Sequence, residues 1–212
     1  MPPSSDAKRS LAARQARYEV HQSKTVAFLT GRGLDADVAE RFRLGYVEPS
    51  ELDPRSHWGR MSIPYLTPTG VVQIRFRCID PHHGAGGDPG TEVTLYNAAA
   101  TLHGGDVLFL TEGEPDVWAV TTLAGYPAVG IPGSKAWEKH PYWARAFVNF
   151  PRLILPADGD EAGRHLATIV AQSLPEVQIV QLPDGEDAGS ILARDRAEFL
   201  RRCGLDQPGA RG

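Results

Sequence analysis

The chain has 212 residues, 42% of them apolar and 23% charged, with a net charge of −4 and two cysteines. That length supports one large domain or two small ones around a real core. Cys78 and Cys203 stand far apart with no CxxC pair, which argues against a disulfide framework and a structural zinc site. No apolar run reaches the length of a membrane span and the N-terminus lacks a signal core, so a cytoplasmic protein without a membrane partner is expected. The charge is uneven. Residues 1–77 carry 12 Lys and Arg against 8 Asp and Glu, whereas residues 78–212 carry 10 against 18. A basic region that can hold phosphates beside an acidic region that gathers cations suits a metal-dependent nucleic-acid protein.

In chain order, residues 1–7 are rich in Pro and Ser and read as flexible. Helix-compatible sequence runs from Lys8 to about Thr30 and stops at Gly31-Arg32-Gly33. A short helix follows through Val38, Ala39 and Phe42. Residues 60–66 and 71–77 flank a Thr67-Pro68-Thr69-Gly70 turn and predict a hairpin. In its second strand Gln73, Arg75 and Arg77 alternate with Val72, Ile74 and Phe76, giving an apolar face and a face that is either solvated or a strip for phosphates. His82-His83 and residues 84–90 form a glycine-rich loop in which adjacent histidines lack metal-ligand spacing.

From Asp106 the pattern becomes β/α alternation. Strands are predicted at 107–110, 128–131, 153–155 and 177–180, with helices near 115–123, 137–146, 162–174 and 190–202. Short apolar strands with helices between them predict a parallel, helix-covered sheet. The expected organisation is a flexible or helical segment over 1–23, a basic subdomain over 24–105, the β/α unit over 106–203 and a tail over 204–212.

Acids collect at the strand ends. The run Leu153-Ile154-Leu155 leads into Asp158-Gly159-Asp160, which can turn two carboxylates toward one hard cation. The same letters also make an ordinary surface turn. Glu112 follows the first strand in the same way. Glu114 and Asp116 open the next helix, where acids also suit the helix dipole. The last strand runs into Asp184-Gly185-Glu186-Asp187, although Asp187 and Ser190 also suit a helix cap. Carboxylates brought together repel and raise one another's pKa unless a divalent cation neutralises them. Gly130-Ile131-Pro132-Gly133-Ser134-Lys135 lacks phosphate-loop spacing, leaving Lys135 as a candidate phosphate contact only. Trp118, Trp137, Tyr142 and Trp143 read as packing rather than a base-stacking platform.

Glu112-Gly113 with Asp116, then Asp158-Gly159-Asp160 with Ala162-Gly163, then residues 182–187 together resemble a Toprim domain, the domain shared by DnaG-type primases, topoisomerases and several nucleases. Upstream, AFLTGRGLDADVAERFRLGYVEP resembles the N-terminal part of the catalytic domain of DnaG-type primases. GRMSIPYLTPTGVVQIRFR resembles its strand pair, and GTEVTLYNAA the segment before the Toprim core. The resemblance covers most of residues 24–202. It implies an α/β fold, a Rossmann-like parallel sheet with flanking helices preceded by a small mixed α+β subdomain, and a phage-encoded primase core that makes RNA primers.

By that resemblance Glu112 would bind metal or act as general acid or base. Asp158 and Asp160 would bind Mg²⁺ or Mn²⁺, with Asp187 and Asp184 as the third acidic segment. Arg60, Arg75 and Arg77 would lie near phosphates; Asp116, and Lys135 from its place in the turn rather than from the resemblance, are further candidates for nucleotide binding. The implied partners are a single-stranded DNA template, ribonucleoside triphosphates and a replicative helicase. Gly189 stands where a further acid is common, His82–Gly90 replaces a lysine-bearing stretch, and no zinc module or helicase-binding domain is seen. A Toprim nuclease and a non-catalytic DNA-binding adaptor are therefore the alternatives, while a topoisomerase would need a longer chain.

Overall fold

The computed structural model describes residues 3–79, 86–87, 93–102 and 104–206. Most of the glycine-rich loop with His82-His83, residues 90–92 of the upstream motif and the tail from Gln207 lie outside the described residues. The chain divides into two units, residues 1–92 and 93–212. The boundary expected at 105/106 thus falls inside the second unit. The cause is Tyr96, whose backbone bridges to Gly130, and Asn97, whose side-chain amide donates to the Ala128 carbonyl at 2.9 Å. Among the described residues no helix is long and apolar enough to cross a membrane.

The first unit contains helices α1 (Ser5–Glu19), α2 (Val26–Thr30) and α3 (Asp37–Arg41), and an antiparallel sheet. Its strands are β1 (Gly45–Tyr46), β2 (Arg60–Thr67), β3 (Gly70–Cys78) and β4 (Gly86–Gly87), in that order across the sheet. The N-terminus is more ordered than its composition suggests. Ser4 caps α1, its Oγ accepting the Ala7 amide at 3.2 Å, with Asp6 in the first turn where the dipole favours an acid. The β2–β3 register shifts between Tyr65 and Leu66, leaving Val72 as an extra residue in β3. Val71 is therefore buried with Ile74 and Phe76, against Tyr18 of α1, while Val72 turns half outward. The opposite face is not bare. Gln73 is buried, Arg75 donates to the Tyr65 hydroxyl at 3.3 Å, and the Arg77 guanidinium lies over the Phe28 ring.

The second unit is a sheet of four parallel strands, β5 (Val107–Glu112), β6 (Ala128–Ile131), β7 (Arg152–Ala157) and β8 (Gln178–Gln181), in the order β6-β5-β7-β8. In β5, Val107 to Thr111 are all buried, as expected of a strand covered on both faces. Leu108 and Leu110 join the cluster of Trp137, Leu153, Leu155, Leu166 and Val170, which packs α5 (Ser134–Lys139) and α6 (Glu161–Ser173) on one face. Phe109 points the other way and stacks at 5.7 Å on Phe199 of α8 (Arg196–Arg202), on the face of α4 (Glu114–Ala119) and α7 (Ala188–Arg194). The buried indoles have their donors satisfied, Trp118 by the Tyr96 hydroxyl at 2.8 Å and Trp137 by Ser173 Oγ at 2.9 Å.

Two expected helices are interrupted. The one over 137–146 is α5 followed by a 3-10 turn, Pro141–Ala146, because Pro141 cannot continue an α-helical hydrogen-bond ladder. The one over 190–202 breaks at Asp195, whose extended backbone and side chain cap α8 by accepting the Glu198 amide at 3.0 Å.

Candidate metal centre

The strand order supplies the first reason to place a site. The connection that leaves β5 runs to β6 on one side and the one that leaves β7 runs to β8 on the other, and such a switch point between β5 and β7 opens a crevice at the strands' carboxyl ends. Glu112 ends β5, and Asp158 follows directly on β7. The third acidic loop follows β8, the neighbour of β7.

Local packing explains the letters of the motif. A Cβ on Gly159 would stand 1.7 Å from the Pro183 carbonyl oxygen, so only glycine lets the 183–186 loop close over this one. Backbone bonds lace the two loops together: Gly159 N–H to the Glu186 carbonyl at 2.8 Å, and Gly185 N–H to the Gly159 carbonyl at 3.0 Å. A Cβ on Gly163 would stand 2.4 Å from the Asp158 carbonyl, so glycine there allows α6 to start hard against the loop. Asp160 caps α6 by accepting the Gly163 amide at 2.7 Å. Asp187 caps α7 in a reciprocal box, accepting the Ser190 amide at 2.6 Å while Ser190 Oγ accepts the Asp187 amide at 3.0 Å. Glu186 is held by Ser190 and by Arg194, the latter at 2.6 Å.

The electrostatics show which acids meet. Burial, and then the charges of Asp116, Glu112, Asp187 and Asp160, push the Asp158 carboxyl up to about 8. Burial and the Asp160 charge raise Glu112 as well. Glu112 Oε2 is buried with no hydrogen-bond partner, an arrangement costly for a carboxylate without a cation. Four other carboxylates thus act on Asp158. Among the described residues, however, no three acidic, histidine or cysteine side chains already stand around one point closely enough to hold a metal ion. The carboxylates are gathered but not drawn together, as mutual repulsion requires. An all-oxygen donor set with an orphaned buried oxygen fits a hard divalent cation.

Not every expected residue joins the cluster. Asp184 is fully exposed and faces Arg164 at 3.7 Å, and it is absent from the charges acting on Asp158. Lys135 is exposed on the first turn of α5. Arg60, Arg75 and Arg77 belong to the first unit. Conversely, Asp116 belongs with the acids more closely than its helix position suggested. It is 5% exposed and contributes the largest of the charges on Asp158. The Gly189 amide donates to Asp116 Oδ1 at 3.0 Å. A Cβ on Gly189 would stand 3.3 Å from Asp187 Oδ1 and 3.4 Å from Asp116 Oδ1, so Gly189 seats Asp116 closely through its backbone. The signal in the sequence was the four-residue step from Glu112 to Asp116, which returns the first helical turn to the end of β5.

No family model matches the chain. Its fold is similar to that of a DnaG primase catalytic domain solved bound to single-stranded DNA, with a TM-score of 0.73 at 20% identity over 94% of this chain and 77% of that one. It is also similar to the primase fragment of the bacteriophage T7 primase-helicase protein, with a TM-score of 0.63 at 25% identity over 82% and 72% of the two chains. The architecture is therefore that of a DnaG-type primase catalytic core. By sequence, the chain is 35% identical over 151 residues to the Gene 57 protein of Mycobacterium phage D29, covering 67% of this chain and 95% of that protein. The chain belongs to the family of that phage protein. It is also 25% identical to the DNA primase of Pseudomonas aeruginosa over 83% of its own length, and spans 33% of that longer protein.

Proposed function

We propose that the chain is a primase core that joins ribonucleotides on a single-stranded DNA template, with Mg²⁺ or Mn²⁺ held by Glu112, Asp158, Asp160 and Asp187. The observation that carries this reading is the crowding of four carboxylates about Asp158 at the sheet's switch point, where burial and then those charges raise its carboxyl to about 8. A divalent cation there would bind the triphosphate and neutralise charge developing in phosphoryl transfer. The chain's own groups have separable tasks. Asp160 and Asp187 are oriented by their helix caps, and Asp116 is seated by the Gly189 amide. Glu112, raised above its ordinary value, is suited to hold a proton at the buried Oε2. Arg60, Arg75 and Arg77 of the hairpin are the proposed phosphate contacts of the first unit. A replicative helicase is a proposed partner because the similar T7 chain is a fragment of a primase-helicase protein.

Template-dependent primer synthesis by the chain, compared with Asp158→Ala and Asp160→Ala, tests the reading. Synthesis that disappears in both variants supports it, and robust synthesis by both contradicts the assigned metal role. Incubation with labelled DNA and no nucleotides separates polymerisation from cleavage.

A further inference from the structure

The second unit is acidic, yet its cations are unequally used. Among its described residues, Arg152, Arg164, Arg194, Arg196, Arg201 and Arg202 each have a carboxylate or carbonyl partner. Lys135, Lys139 and Arg145 are exposed and have no hydrogen-bond or ion-pair partner among the described residues. These three lie within one stretch, α5 and the 3-10 turn after it. Between Asp116 and Asp158 that stretch and its flanks carry four basic residues against one acid, Glu138. Glu138 points to His165 of α6, 3.4 Å away.

The unused cations flank an exposed aromatic ring along the chain. Lys135 and Lys139 are four apart on α5 and share a helix face. Tyr142 and Arg145 are three apart on a 3-10 turn, where such positions eclipse. Trp137 and Trp143 are buried on the other side. Tyr142 is 55% exposed but is not a loose side chain. Its hydroxyl and His140 Nδ1 share a hydrogen bond of 3.2 Å, and the His140 ring stacks at 4.7 Å on Trp143. A buttressed, exposed aromatic ring between uncompensated cations matches one ligand chemistry, an anionic backbone carrying unpaired π faces.

We propose that the ridge of Lys135, Lys139, Tyr142 and Arg145 binds a single-stranded polynucleotide, with Tyr142 stacking on an unpaired base and the cations taking flanking phosphates. The ridge lies outside the acidic cluster and needs neither cation nor nucleotide. Anisotropy with labelled oligothymidylate, oligouridylate and a duplex, all in chelator and without nucleotides, tests it independently of synthesis. Tyr142→Ala should weaken binding of at least one single strand about tenfold, spare the duplex, and be rescued by Tyr142→Phe. Lys139→Ala with Arg145→Ala should reduce the slope of log affinity against log salt by about 1.4. A larger loss for oligothymidylate assigns the ridge to template and for oligouridylate to product. Unchanged single-strand affinity in both variants, with unchanged melting temperatures, overturns the proposal and leaves the ridge to a protein contact. Equal losses for single strands and duplex in Tyr142→Ala overturn the stacking role.

Discussion

Asp53 in the first unit and Asp158 in the second are both carboxylates withdrawn from water, and their surroundings drive them in opposite directions. Asp53 accepts from the Tyr18 hydroxyl and from Arg17 at 3.2 Å, with Arg14 at 3.4 Å. Burial pushes its carboxyl up, but these donors outweigh burial and hold it below the usual range. Asp158 has burial and four like charges acting in the same direction, and rises to about 8. Asp53 pins α1 to the loop before β2 and is electrostatically complete. Asp158 is incomplete until something positive arrives. A buried acid with its partners in place is a structural part, whereas one surrounded by other acids is the place to look for chemistry.

The strongest way to break this contrast is Asp158→Asn. Primer synthesis should fall by at least about 10³-fold, on the order of 4 kcal/mol of barrier, while the metal-free protein becomes more stable. Because the folded pKa of Asp158 lies above its unfolded one, the stability present at low pH is lost as pH climbs from 3.8 through about 8. Removing the charge should restore on the order of 2–4 kcal/mol at pH 8, after allowing for partial exposure. Thermal melts of both proteins in chelator between pH 5 and 9 measure the difference, and equal melting temperatures throughout would contradict the repulsion.

Asp53→Asn should do the reverse. Its folded pKa is depressed, so its stability is present above the ordinary carboxylate range and lost as pH falls through the lowered value. Denaturant titration at pH 7 should show a loss of about 2 kcal/mol, shrinking toward zero in acid. Ser190→Ala is a smaller perturbation, removing one half of the box that holds the third acidic loop. It should cost about 0.5–1 kcal/mol in the same titration and leave synthesis partly intact.

The Asp158 half of this contrast was legible beforehand. The apolar runs near 107, 128 and 153 read as strands with both faces covered, whereas the edge strand near 178 leaves Ile179 and Gln181 exposed. Asp158-Gly159-Asp160 follows one of the covered strands at the edge where ligands bind. What escaped depends on contacts distant in sequence. The Asp116–Gly189 bond joins residues 73 apart, and the strand order that creates the switch point has no local signature. Asp53 was read as part of a polar loop because its partners, Tyr18 and Arg17, lie on another element. The Val72 bulge flipped the lower end of β3 against strict alternation. The breaks at Pro141 and Asp195 and the cap at Ser4 were missed as well, although proline and capping chemistry carried their signal.

On the proposed metal role, the Asp158 cluster holds a proton until a divalent cation takes its place. Calorimetric titration of the chain with Mn²⁺ at pH 7, in two buffers of different ionisation enthalpy, counts the protons released on binding. The wild-type chain should release about one proton, and Asp158→Asn should bind more weakly with almost no release. Equal affinity and equal proton release in the two proteins would contradict it.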